Sequence, residues 1–471
     1  MNRRSRPWWA PALGVGALYC FYAATSLVPP MSSNDGCHLA LLRAMVERHT
    51  FCIDDYAQYT NYFDIAVVDG HYFADRPPGT ALIAVPLYAV GRALLGVLDA
   101  TDRFDPGFYA VSLSSVAGAV SAGILWQILM SLAVGRGAAV LTVIAFALGS
   151  LNWTYAGVFY SHAIVILLTL ALLLALLKHL RCARAWHLPA IGCITGLCVI
   201  TDYQMVLLVP LTALLLTLRR DTTPVARIRG IAAWAAGGLP VLLFFLSYNW
   251  SCFGSPFALS YDFHLATLPV TGAASAYRVP LFEGLWSILT HREWGLLLWL
   301  PVFVPAVLGT RSLFRANRVF ASFALTFAIL LLLLTSKLQF FWGGATHDLR
   351  YLAALFPVVF VLYGVSLEAF PSGWAGVSVR VAGFAAPVFQ AAHWGFVWFL
   401  GFRLGRAQAA VPGLGRFESW LTSVFPSAAR YWPLILTNAV ILCGAAVLVR
   451  VVLERPKPAG GDEISQTSPS G

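Results

Sequence analysis

The chain has 471 residues, 59% of them hydrophobic and 11% charged, with a mean hydropathy of +0.74 and a formal net charge of +10. Soluble domains carry about 25% charged residues, so this composition excludes a soluble enzyme and describes a polytopic membrane protein. It also excludes nucleic-acid binding as the meaning of the positive charge, because the basic residues sit in loops between apolar runs and form no soluble basic module.

Arg3, Arg4 and Arg6 precede the first apolar run, 8–28, and no small-residue cleavage site follows it, so the run reads as a retained anchor. About 20 apolar residues span a bilayer. Further runs of that kind lie near 107–132, 137–158, 160–179, 187–201, 203–218, 229–247, 293–310, 319–335, 350–367, 376–400 and 432–452. The stretch 79–98, which contains Pro86 and Gly91, is ambiguous until charge is considered. Cytoplasmic loops are enriched in Lys and Arg. The N-terminus, KHLRCAR (178–184), RRDTTPVARIR (219–229), RSLFRANR (311–318) and the tail after Arg450 share one side only if 79–98 does not cross. The sequence therefore predicts an all-α membrane protein of about twelve spans, with both termini cytoplasmic. Residues 1–453 form one integral domain, and 454–471 form a disordered, Pro/Gly/Ser-rich tail.

The first external loop, 31–106, is a long polar interruption in an apolar chain. Within it Leu39, Leu42, Met45 and Val46 recur near helical spacing, with Arg43, Glu47 and Arg48 opposite, which predicts a surface helix over Gly36–His49. Residues 79–98 give a second surface helix, entered through Pro77-Pro78. Asp35 is either a general base at the water–lipid boundary or, with Asn34 as the other candidate, the N-cap of the first helix. Arg76, aimed by the proline pair, suits a phosphate through its planar donors, and an interfacial snorkelling arginine is the alternative.

His162, at the outer end of a span, binds substrate or caps its helix. Asp202, between two short spans, favours a turn. In QFFWGGATHDLRYLAALFP (339–357), His347, Asp348 and Arg350 enter a span. Charges there are costly in lipid, so these residues are expected to line a cavity or to form an ion pair that holds the turn. Asp54, Asp55, Asp64, Asp69 and Asp75 make the outer loop acidic, but no DxD occurs and no Cys/His cluster has metal spacing, so no metal is expected. A Cys37–Cys52 disulfide suits an oxidising compartment, and a third external cysteine, Cys252, leaves that pairing open.

These features resemble the GT-C superfamily of membrane glycosyltransferases, which includes protein O-mannosyltransferases and aminoarabinose transferases. The resemblance rests on Asp35 as an acidic motif in the first external loop and on Arg76-Pro77-Pro78 before the second surface helix. A bacterial branch of that superfamily carries segments similar to DGHYFADRPPGTALIAVP (69–86), YNWSCFGSPFALSY (248–261), GLWSILTHREWGLLLWLPV (284–302) and FFWGGATHDLRYLAALFP (340–357). It implies an inner-membrane enzyme with a polyprenyl-phosphate sugar donor, no further cofactor, and a glycan, lipid or protein acceptor on the external (periplasmic) side. It also implies Asp35 as base and Arg76 and Arg350 at the donor phosphate; one base and direct displacement mean inversion, and His162, His347 and Asp348 are further candidates for substrate binding. Two departures stand out: relatives usually have an acidic pair where this chain has Asp35-Gly36, and commonly Lys in place of Arg76. A transporter or flippase of a lipid-linked glycan, or an inactive relative that binds lipid-linked sugar, remains open at this point.

Overall fold

The computed structural model describes residues 10–28, 32–218, 223–265, 276–343, 348–393 and 426–453. The tail after 453 and His347 lie outside them. Among the described residues, seven helices are long and apolar enough to cross a membrane: Gly79–Val97, Gly107–Ser131, Ser161–Arg181, Pro224–Phe253, Arg318–Ser336, Arg350–Ala369 and Gly373–Ala392. Five shorter apolar helices accompany them.

Helix α1 (Ala10–Ala24) and helix α4 (Gly107–Ser131) run antiparallel. Val15 packs on Gly123, Tyr22 packs on Gly118, and the Tyr19 hydroxyl is 2.7 Å from Ser112 Oγ. The chain between them therefore returns to the end of the bundle it left. That intervening segment holds α2 (Ser33–Arg43), a 3-10 turn (Asp54–Thr60), a hairpin and α3 (Gly79–Val97). Although α3 has the length of a span, the residues after it are tied back to α2 by the Arg43–Asp105 ion pair at 2.7 Å.

The first surface helix starts three residues earlier than expected. It widens into a π-helical turn (Ala44–Arg48) that His49 ends in a left-handed conformation, φ 55°. Strands β1 (Ile65–Val68) and β2 (His71–Ala74) correct the all-α expectation. Asp69 and Gly70, with φ of 51° and 82°, form the connection. Two positive-φ residues of type Asp-Gly match the right-handed strand twist, so this turn closes the hairpin directly.

The main core lies where α4, α5 (Arg136–Leu148), α7 (Ser161–Arg181) and the helices Arg318–Ser336 and Phe356–Ala369 meet around Phe146, Leu173, Phe327 and Phe360. The run expected to span at 293–310 does not form one helix. It breaks into Leu296–Trp299 and Phe303–Leu308, because Pro301 supplies no amide hydrogen to continue the first piece. The run 137–158 also splits, after Leu148. Ser150 restarts the chain as α6 (Leu151–Ala156), its side chain accepting from the Asn152 amide.

Candidate functional site

A cavity of about 420 Å³ opens where several helix ends and loops converge. It is lined from α2 by Asn34 and His38, from the hairpin exit by Asp75, Arg76 and Pro77, and from the start of α7 by Ser161 and His162. The turn 201–204, the 259–264 segment, Tyr277, Arg350 and Tyr351 complete the wall.

Arg76 is held by carboxylates. Its Nη2 donates to Asp64 Oδ1 at 2.7 Å, and its Nε lies 3.4 Å from Asp75 Oδ1. His264 Nε2 is 3.2 Å from Asp75 Oδ2 and 3.8 Å from Asp64 Oδ1. The 259–265 segment reaches this point by pairing with β1: the Leu265 amide donates to the Ile65 carbonyl, and His264 bridges Ala66. Ser33 Oγ donates to Asp64 Oδ2 at 2.6 Å, and Ser260 Oγ donates to the Asp75 carbonyl. Burial alone would raise the Asp64 carboxyl, but the Arg76 charge and hydrogen bonds from His264 and Ser33 hold it well below the usual range. Burial alone would lower His264, but its contacts with Asp64 and Asp75 outweigh that and lift it to about 9. The cluster thus sets two carboxylates against two basic side chains. His38, pulled down to about 3 by burial and by Arg76, stays neutral.

Arg350 differs. No carboxylate lies within ion-pairing distance of its guanidinium among the described residues, and its Nε is buried without a hydrogen-bond partner there. The rings of Tyr160 and Tyr351 flank it at 5.6 and 5.3 Å. Asp348 serves the turn before it, Oδ1 accepting from the Arg350 amide at 3.2 Å and Oδ2 from the Tyr155 hydroxyl at 2.6 Å. His162 reaches the cavity, stacks edge-on against Tyr155 at 4.6 Å, and keeps Nδ1 without a hydrogen bond among the described residues.

Asp35 does not line the cavity. It is 2% exposed, and its Oδ1 accepts from the Ser32 amide at 2.8 Å and from Ser32 Oγ at 2.7 Å. Asp35 thus stands at the third position of α2 and caps the backbone amide of Ser32, the residue that precedes the helix. Ser32 Oγ is 2.6 Å from the Tyr160 hydroxyl, so Asp35 stands behind Arg350 through Ser32 and Tyr160. Gly36 follows because a Cβ there would fall 1.8 Å from the Tyr59 carbonyl oxygen. That close approach is the physical reason for Gly at this position.

Two donor sets could hold a metal ion. Asp64, Asp75 and His264 present ligand atoms within 4.8 Å of one another, as do Cys52, Asp54 and His71. Sequence spacing hides both, since each set is assembled from separate turns and strands. Cys37 and Cys52 are free, and Cys37 Sγ instead faces Asp75 Oδ1 at 3.4 Å, so the suggested disulfide does not form.

No protein-family model and no curated protein matches the sequence. Solved structures do share its fold. One is ArnT from Cupriavidus metallidurans bound to undecaprenyl phosphate, with TM-score 0.53 and 16% identity over 94% of this chain and 78% of that one. Another is the oligosaccharyltransferase of Archaeoglobus fulgidus in its apo form, with TM-score 0.50 and 13% identity over 98% of this chain. Its complex with zinc and sulfate gives TM-score 0.52 at 13% identity over 88% of this chain. This chain spans 59% of the apo oligosaccharyltransferase and 57% of the complexed chain.

Proposed function

The chain has the fold of the GT-C membrane glycosyltransferases, and from that premise we propose that it moves a sugar from a polyprenyl-phosphate donor to an acceptor at the cavity. Arg350 carries the reading. A half-buried guanidinium whose Nε lacks a hydrogen bond and which has no ion-paired carboxylate among the described residues favours an anion, and it lies on a cavity shaped by a fold that, in ArnT, was solved with undecaprenyl phosphate. The lipid phosphate would lie against Arg350, with Arg76 contributing from its carboxylate cage.

In this reading α2 and α3 are juxtamembrane helices, and the cavity opens on the external side. The acceptor attacks the anomeric carbon in line, the bond from that carbon to the phosphate oxygen breaks, and configuration inverts. The proton of the acceptor goes to a carboxylate. Asp35 is then a positioning residue for Tyr160 and Arg350, since the carboxylates on the cavity wall are Asp75 and Asp202. Incubating the purified protein with radiolabelled polyprenyl-phosphate sugars tests the proposal: transfer supports it, and lipid binding with no transfer leaves a non-catalytic lipid–sugar binder.

A further inference from the structure

Asp202 occupies the single-residue step between α8 (His187–Thr201) and the 3-10 turn Tyr203–Leu207. It does perform the turn role that its position suggests, since its Oδ1 accepts from the Gln204 amide at 3.0 Å. Its other oxygen has no hydrogen bond or ion pair among the described residues, and the side chain is partly exposed on the cavity wall. Gly79 explains why it stands there. A Cβ at Gly79 would fall 2.5 Å from Thr201 Oγ1 and 2.6 Å from the Ile200 carbonyl carbon. The first turn of α3 thus presses on the end of α8, bringing Arg76-Pro77 and Asp202 to one cavity.

The two carboxylates of that wall are unlike. Asp75 is fully buried and held by Arg76 and His264. Around Asp202 the wall is neutral, formed by Thr201, Tyr203, Gln204 and Tyr277, with the Cys198 thiol beneath. Tyr277, Tyr203 and Cys198 are its titratable neighbours, and burial lifts its carboxyl to about 6. A carboxylate with that affinity suits proton abstraction near neutral pH. Hydroxyls, an amide and aromatic rings together suit a neutral polyhydroxyl group, whereas an anionic acceptor would find no cation among the described lining residues around Asp202.

The geometry points to Asp202 as the general base that takes the proton of an acceptor hydroxyl, the acceptor being a neutral, sugar-like group on the Asp202–Tyr277 side of the cavity. This rests on the glycosyltransferase reading above. The hydroxyl proton passes to the free oxygen of Asp202 as the acceptor oxygen bonds to the anomeric carbon. The electron pair of the breaking bond leaves with the phosphate toward Arg350.

The test uses full-length protein in nanodiscs with radiolabelled undecaprenyl-phosphate sugars and, as acceptor pool, an envelope extract of host cells lacking the chain. Asp202→Asn is expected to lower kcat by 10²–10⁴-fold with undecaprenyl phosphate binding unchanged within twofold, and Asp202→Glu to recover part of the rate. Transfer by Asp202→Asn within threefold of the parent overturns the inference while leaving the glycosyltransferase reading intact. A parent protein that binds undecaprenyl phosphate yet transfers no sugar overturns both. A parallel loss of lipid binding and transfer in Asp202→Asn also overturns the inference, because a base acts on the rate and not on the donor.

Discussion

Arg76 donates to Asp64 across 2.7 Å, so one of the two arginines at the cavity already has its anion. The other, Arg350, does not, and the two should fail differently. Arg350→Ala is expected to weaken undecaprenyl phosphate binding by roughly 10–100-fold, the worth of one or more charge-assisted hydrogen bonds at about 1.5–3 kcal/mol each. Lipid titration by intrinsic fluorescence measures it. Equal loss in both alanine variants, with neither losing stability, would remove the distinction.

Arg76→Ala should chiefly destabilise the protein. It leaves Asp64 and Asp75, 4% and 0% exposed, without their guanidinium, and breaking a buried pair costs about 3–5 kcal/mol. Pairing it with Asp64→Asn should restore part of the lost melting temperature in a detergent thermal-shift assay. No recovery would mean the stability of the loop comes from elsewhere.

Asp35→Asn separates a cap from a base. The cap reading predicts a stability loss of about 0.5–2 kcal/mol and a kcat within tenfold of the parent, because the amide oxygen can still accept from Ser32. The base reading predicts a loss of 10²–10⁴-fold. Single-turnover kinetics with labelled donor decides between them.

The rate should follow a bell-shaped pH profile. Asp202 is raised from 3.8 to about 6, so its base form appears as pH rises through 6. His264 is raised from 6.5 to about 9, so its cation is lost as pH rises through 9, and Asp64 and Asp75 then lose a partner. The stability His264 lends is complete below about 6.5 and gone above about 9. Asp202→Asn should remove the acid limb of the residual rate, while His264→Gln should move the alkaline limb. A profile flat from pH 5 to 10 would contradict both assignments.

Much of this arrangement was legible in the sequence. The long apolar runs and the paired basic loops placed 31–106 between two ends of one face, and the antiparallel packing of α1 on α4 returns the chain to that end. Arg76, His162 and Arg350 stood out as polar groups at the edges of apolar runs, and all three reach the cavity. Asp202 carried the same signal, an acid between two apolar spans, but a turn explained it too easily. It is both a cap and a wall residue, because Gly79 lets α3 close on it. His264 gave no signal, since only the pairing of its segment with β1 brings it to Asp64 and Asp75. The hairpin had a local mark in Asp69-Gly70 between IAVV and HYFA, which the membrane-helix pattern overshadowed. Pro301 could likewise have warned that 293–310 is not one helix.

The most direct test is to follow the label on a radioactive undecaprenyl-phosphate sugar incubated with the parent protein and with Arg350→Ala in nanodiscs containing an envelope-extract acceptor. The account predicts that the parent moves the label onto an acceptor with inverted anomeric configuration and frees undecaprenyl phosphate, and that Arg350→Ala does so at least tenfold more slowly. Label that stays on the lipid in the presence of the parent protein, or moves equally well in both, would contradict it.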